Sequence, residues 1–382
     1  MTHQGALRGS LVAMLIAAML ALVAPARAQT ELLPAYDDKP LAGPAKAKGA
    51  VIWNHGLSRL SESEANTPFY ADALQAAGWD VFKLTRKWAS DRLYDSTEAL
   101  TAEGRKLRAQ GYQHVVSAGQ SFGGWISYNA AGKADSPFEA IVATAPAAHG
   151  TLATNDNWRK NAADLYDFAG NVRPSIKVLT FFFNKDDYDP GGRGAEVRRL
   201  LSARGVPNVI VDYPPGFIGH GIGASLAFAD QHAGCIAAFI EPGPLKPGFS
   251  CADFPLADAG FPMPKNLKIV PAPADAPPGL AAMVGRWRGW YDTGRPFMLV
   301  VHDVGKDRAL AVYSTRPQYR SASDKPNYTS RRGEYDAASG RLSFTESTTL
   351  LEYKLRSDGR LDATWQRKGS DSKLVTILTK VD

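Results

Sequence analysis

Cysteine is nearly absent from this chain: two in 382 residues, Cys235 and Cys251. That excludes a disulfide scaffold and a four-cysteine zinc site. Long apolar runs are absent beyond one, residues 11–23, and at 13 residues it is short for the roughly 20 that span a bilayer. A strong charge of one sign is also lacking. The net charge is +6, and the excess lies at the C-terminal end, with 18 basic and 12 acidic residues from Gly279 onward against 26 of each before it. No recognisable nucleic-acid module accompanies that excess, so no nucleic-acid partner is expected. The 35 glycines and 25 prolines follow no fixed period, which excludes collagen-like and low-complexity chains. With 45% hydrophobic residues, two or three folded domains with many turns are expected.

The one apolar run follows Arg8 and ends before Ala26-Arg27-Ala28, the pattern of a secretory leader with a small-x-small cleavage site. Residues 1–28 are therefore read as a signal peptide, cleaved after Ala28, with export to the periplasm or medium and no stable membrane span afterwards. In an oxidising compartment the two cysteines, 16 positions apart, either close a loop as a disulfide or stay as separate buried thiols.

From residue 49 to about 240, short β-rich runs (50–54, 81–84, 114–118, 140–144, 178–183 and 209–213) alternate with segments of helical periodicity (64–77, 96–110, 121–131, 196–204 and 224–240). That alternation predicts an α/β domain over 29–240, a mainly parallel sheet with helices on both faces. Residues 241–278 hold ten prolines and read as a linker, since proline breaks helices and central strands. Beyond it, alternating runs at 297–301, 309–313, 341–344, 350–355, 361–365 and 374–378, separated by pairs such as Asp358-Gly359, predict a small antiparallel β domain over 279–382, a barrel or a sandwich.

The chemistry concentrates at Gly119-Gln-Ser-Phe-Gly123, which a strand precedes and a helix follows. A serine on so sharp a turn needs very small residues two positions away on either side. The helix beyond points its first amides at the place where an oxyanion would form. Phe122 would donate one such amide and Leu57, after His55-Gly56 at the end of the first strand, a second. Serine at its own pKa is a poor nucleophile, so a histidine must take its proton and a carboxylate must orient that histidine. The strand ending near residue 183 delivers Asn184-Lys-Asp-Asp-Tyr-Asp-Pro190. Asp187 is the acid its spacing favours, with Asp186 and then Asp189 as alternatives. His220, in a glycine-rich loop after the last strand, is the expected general base.

In this order, Gly119-Gln-Ser-Phe-Gly123, His55-Gly56, Asp187 and His220 resemble the α/β-hydrolase superfamily, in the region of dienelactone-hydrolase-like esterases. The resemblance covers roughly residues 49–240. It implies an eight-stranded fold trimmed at its start, a Ser121, Asp187, His220 triad working through an acyl-enzyme, and Leu57 and Phe122 amides as oxyanion hole. Dienelactone hydrolases themselves typically carry a cysteine nucleophile; Ser121 in its place points to ordinary esters.

The resulting expectation is an exported serine hydrolase of carboxylic esters, small or soluble ones favoured. The alternatives are a serine peptidase or amidase acting on small peptides, and a catalytically inactive exported binding protein. His55, Trp125, His149 and Trp158 are candidates for the substrate pocket, with 151–168 as a partial lid. No metal or cofactor is called for: Gly219-x-Gly221-x-x-Ala224 imitates a dinucleotide fingerprint, but no βαβ unit follows it. Gly191-Gly-Arg-Gly194 before a helix lacks the lysine and hydroxyl of a phosphate-binding loop. Aromatic and basic residues of the C-terminal domain would suit an anionic polysaccharide, the small-molecule or saccharide ester remaining the expected substrate.

Overall fold

The computed structural model describes residues 30–57, 66–254, 260–320 and 323–381; the expected leader lies outside them. Seven strands form the first sheet: β1 (Thr30–Pro34), β2 (Ala50–Asn54), β3 (Asp80–Arg86), β4 (Val115–Gln120), β5 (Ala140–Thr144), β6 (Lys177–Phe182) and β7 (Asn208–Asp212). Their order is β1-β3-β2-β4-β5-β6-β7. All neighbours are parallel except β1, which runs antiparallel along β3. The central strands β2, β5 and β6 are buried at every position, which is why they read as unbroken apolar runs.

Helices α2 (Leu93–Ala109), α3 (Phe122–Ala131), α4 (Lys160–Asn171) and α5 (Arg193–Ala203) cover one face. Their Leu100, Ile126, Leu165 and Val197 share a core with Ile52 and Ile141. On the other face α1 (Phe69–Ala76) and α6 (Leu226–Ile240) pack Leu74, Phe228 and Ile236 against Val51 and Leu179. This is the expected mainly parallel sheet with helices on both faces. Two elements differ from expectation. The sequence reading has no counterpart of β1, five residues with only partial burial along one neighbour, too short to show a period. Helix α1 begins at Phe69, not Glu64, because Pro68 sits extended at its N-cap and residues before a proline disfavour the helical region.

The C-terminal domain is a closed antiparallel barrel of eight strands: β8 (Gly285–Trp290), β9 (Pro296–Val304), β10 (Arg308–Thr315), β11 (Asn327–Asp336), β12 (Arg341–Thr345), β13 (Thr349–Leu355), β14 (Leu361–Arg367) and β15 (Lys373–Val381). Leu299, Val301, Ala311, Leu342, Leu351 and Leu361 fill its interior. The strands β8 and β11 are additions to the six expected. Strand β11, Asn-Tyr-Thr-Ser-Arg-Arg-Gly-Glu-Tyr-Asp, is mostly exposed and polar, so it carries no apolar alternation to read.

The described residues of 241–278 are tied to both domains. Cys251 is disulfide-bonded to Cys235 of α6, with Cα atoms 5.2 Å apart. Phe249 and Phe254 pack on the first domain, while Ser314 donates to the Pro262 carbonyl at 2.7 Å and the Val270 amide to that of His302 at 2.7 Å. The barrel also touches the first domain directly. Asp230 of α6 accepts from Arg288 at 2.7 Å and Arg316 at 2.8 Å. Burial raises the Asp230 pKa, and the two guanidinium groups oppose the rise. Trp290 stacks on Phe217 at 5.0 Å and donates to the Gly216 carbonyl at 2.9 Å.

His232 is enclosed by Phe181, Phe217 and Phe228, with ring centroids 4.9–5.2 Å away, and burial pushes its pKa down to about 4. The unfolded chain then binds this proton near pH 6.5 while the folded one does not. Folding stability is complete above pH 7 and falls as pH drops toward 4, by about 3 kcal/mol at most from this residue. Urea midpoints across that range should show the fall in the wild type and a flatter profile in His232→Phe. Separately, Cys235→Ser should lower stability by about 3 kcal/mol through the lost loop constraint, read as a drop in thermal midpoint that reductant reproduces in the wild type.

Candidate functional site

The turn at Ser121 is a matter of backbone clearance. Ser121 sits between β4 and α3 with φ 54° and ψ −120°, a conformation that side chains resist. The turn closes only because its flanks are bare. A Cβ at Gly119 would lie 2.3 Å from the Gly123 carbonyl carbon, and one at Gly123 would lie 2.1 Å from the Asn54 oxygen of β2. The Ser121 amide donates to the Thr144 carbonyl at 3.0 Å, fastening the turn to the end of β5.

His220 reaches this serine from the loop after β7. Its Nε2 lies 2.7 Å from Ser121 Oγ and its Nδ1 lies 2.9 Å from Asp186 Oδ1. A carboxylate at Nδ1 makes that nitrogen the donor and leaves Nε2 to accept the serine proton. Asp186, not Asp187, therefore holds the histidine. The backbone explains the difference. Lys185 has φ 53°, a reversal that turns Asp186 inward, where it is buried, and leaves Asp187 in solvent. Adjacent side chains leave such a turn in opposite directions, so a one-residue choice decides which carboxylate meets the ring. The acid and histidine loops also tie to one another: the Gly219 amide donates to the Asn184 carbonyl at 2.9 Å. Gln120, next to Ser121, donates to the His220 carbonyl at 3.2 Å.

Three contributors escape sequence reasoning. Arg193 is fully buried. It donates to Asp189 at 2.8 Å and to the Pro146 carbonyl at 2.6 Å, and its Nη2 lies 3.8 Å from Asp186 Oδ2. The Gly191-Gly-Arg-Gly194 run is thus a buried arginine behind the acid loop, with Gly192 left-handed at the N-cap of α5. Tyr188 donates its amide to Asp186 Oδ1 at 2.9 Å and stacks its ring on His220, centroids 4.0 Å apart. Arg86, equally buried, pairs with Asp91 at 2.9 Å and donates to the His55 carbonyl at 2.5 Å. The glycines around Arg193 were the one visible signal. Nothing in the local pattern distinguishes Arg86 or Tyr188 from surface residues.

The loop expected to receive an oxyanion lies beside the serine: a Cβ at Gly56 would stand 3.2 Å from Ser121 Cβ. Phe122 opens α3, so its amide has no acceptor within the helix. Leu57 follows Gly56 with its side chain exposed. A cavity of about 230 Å³ is lined by His55, Gly56, Leu57, Gln120, Thr144 and Gly223, among others. Of the other pocket candidates, Trp125 is displaced from that role. It is 1% exposed and packs edge-on against His149 and Phe168, because it lies on the inward face of α3. His149 pairs with Asp164 at 2.7 Å. Trp158 is half-buried under the Arg159 guanidinium, 5.2 Å from its ring. Among the described residues no group of His, Cys, Asp and Glu side chains could hold a metal ion, and no helix is long and apolar enough to cross a membrane.

No protein-family model matches the chain, and no curated protein does. Solved structures similar to it include a truncated carbohydrate esterase from gut microbiota, at 15% identity over 55% of this chain and 89% of that one, TM-score 0.40. Another is the Paleococcus ferrophilus monoacylglycerol lipase, at 13% identity over 56% and 98%, TM-score 0.40. A third is brefeldin A esterase, a bacterial homologue of human hormone-sensitive lipase, at 15% identity over 63% and 87%, TM-score 0.41.

Proposed function

We propose that this chain is a serine hydrolase that cleaves carboxylic esters through an acyl-enzyme on Ser121. The observation that carries the reading is the continuous hydrogen-bond path from Ser121 Oγ through His220 to Asp186 at a strained strand-to-helix turn. In the acylation step His220 Nε2 takes the serine proton as Oγ attacks the ester carbonyl. Asp186 steadies the imidazolium, helped by the stacked Tyr188 ring. The amides of Phe122 and Leu57 receive the oxyanion, and His220 then returns its proton to the departing alcohol. Water repeats the sequence on the acyl-enzyme. Export is part of the proposal, supported by the leader pattern and by a disulfide, which persists in oxidising compartments.

The small cavity beside Gly56 suits a short acyl group. A cleft of about 770 Å³ runs between the triad loops and the outer face of the barrel, with Lys185, Ile218, Trp290, Arg360 and Ile377 on its walls. It offers room for a larger alcohol such as a saccharide.

A fluorophosphonate probe should label the mature protein and fail to label Ser121→Ala; unlabelled, well-folded wild type would overturn the proposal. On nitrophenyl esters, acetate should be turned over faster than decanoate. Asp186→Asn should lower kcat by about 10³- to 10⁴-fold, since the histidine loses its correct tautomer. Asp187→Asn should stay within about twofold of wild type, as solvated side chains away from the reacting atoms usually do. A reversal of that pair would reassign the acid.

A further inference from the structure

The barrel has one plugged end and one polar end. At the plugged end the short helix α7 (Pro278–Ala282) and Met283 close the interior, with Trp287 Nε1 donating to the Met283 carbonyl at 2.7 Å. At the other end four polar side chains face inward: Tyr291, Tyr313, Arg331 and Tyr353. The register places them there, since Tyr313 pairs with Leu299 and Arg331 with Ala311, both interior positions.

These groups are not arranged as a satisfied core. The Tyr353 hydroxyl is buried, on a residue only 1% exposed, and has no hydrogen-bond partner among the described residues. Arg331 Nε is buried without a partner too. Its guanidinium lies 5.1 Å from the Tyr313 ring and pairs with Glu346 at the half-exposed rim. The Tyr313 hydroxyl donates to that of Tyr291 at 3.3 Å. Burial raises the pKa of all three tyrosines, and the Arg331 charge opposes the rise in each, so one cation acts on all three phenols. Uncharged phenols and a guanidinium can donate to a common acceptor, and leaving the Tyr353 hydroxyl and Arg331 Nε buried without partners costs free energy that an incoming anion would recover.

The surroundings narrow the anion. Half-buried Trp365 and Leu374, a cross-strand pair, stand at the same end, and Phe297 stacks on Tyr291 at 4.5 Å. Two loops of this end lean on the first domain, through Gln318 and Gly294, while the turns 346–348 and 368–372 are largely exposed. The interior of an eight-stranded barrel is just wide enough for its side chains to fill or to hold one small ligand.

We propose that the open end of the barrel binds a small organic carboxylate, with Arg331 and the Tyr353 hydroxyl on its charged group and Trp365 and Leu374 against its apolar body. The site is separate from the triad and stands whether or not Ser121 is a nucleophile.

Isothermal titration of the full mature chain with octanoate tests this, beside 1-octanol and sulfate as single-feature controls. One octanoate should bind per barrel, with both controls at least tenfold weaker. Tyr353→Phe should weaken octanoate at least tenfold while keeping its thermal midpoint, because the hydroxyl removed has no partner among the described residues. Arg331→Met should weaken it similarly. No heat with octanoate at millimolar concentration, sulfate binding as tightly, or wild-type affinity in Tyr353→Phe would each overturn the proposal. The last result would place any bound carboxylate elsewhere, including at the triad.

Discussion

Everything at the candidate site depends on how closely the turn at Ser121 can approach strand β2. With hydrogen atoms alone at positions 119 and 123, the turn lies against Asn54 and against itself. Ser121 is thereby held at a positive φ that its own side chain resists. The same approach brings Gly56 next to Ser121, so the serine and the loop after β2 are set by one packing constraint. A side chain at either glycine would separate them, whatever residues the rest of the site retained.

The second dependence runs through the histidine loop, which belongs to the first domain but is flanked by the barrel. Trp290 grips Gly216 and Phe217, Gln318 accepts from the first amide of α6, and the Arg288 and Arg316 pair holds Asp230 one turn further on. The loop thus lies between a disulfide-anchored helix and a closed barrel. Open loops are ordinarily the mobile parts of such folds; here the second domain supplies contacts that restrict one of them. The barrel is in this sense part of the site's support, whatever it binds.

Buried charge organises both regions. Arg86 fastens the loop of His55 to Asp91, Arg193 braces the acid loop, and Asp230 joins the two domains. Each is costly to desolvate unless its hydrogen bonds are met, and breaking such a group by removing one partner is strongly destabilising. This makes register matter more than strength: the ions specify where loops must sit. Apart from the glycines around Arg193, none is visible as a pattern in the chain, because a single arginine such as Arg86 at the end of an apolar strand looks the same whether it points to solvent or to a carbonyl.

The alternation of apolar strands and amphipathic helices, the glycines around Ser121 and the chain order of serine, acid loop and histidine are local properties, and the sequence by itself determined them. Backbone sterics and hydrophobic periodicity act within a few residues. Strands β1, β8 and β11 were illegible because they are partly exposed or polar and owe their pairing to neighbours distant in the chain. The choice of Asp186 over Asp187 hung on one left-handed residue, Lys185. Trp125 became core and not pocket through the face of α3 that meets α4. The pairing of Cys235 with Cys251 was left open by spacing alone. Such features are decided by what lies across space from each residue, and only the tertiary structure brings those partners together.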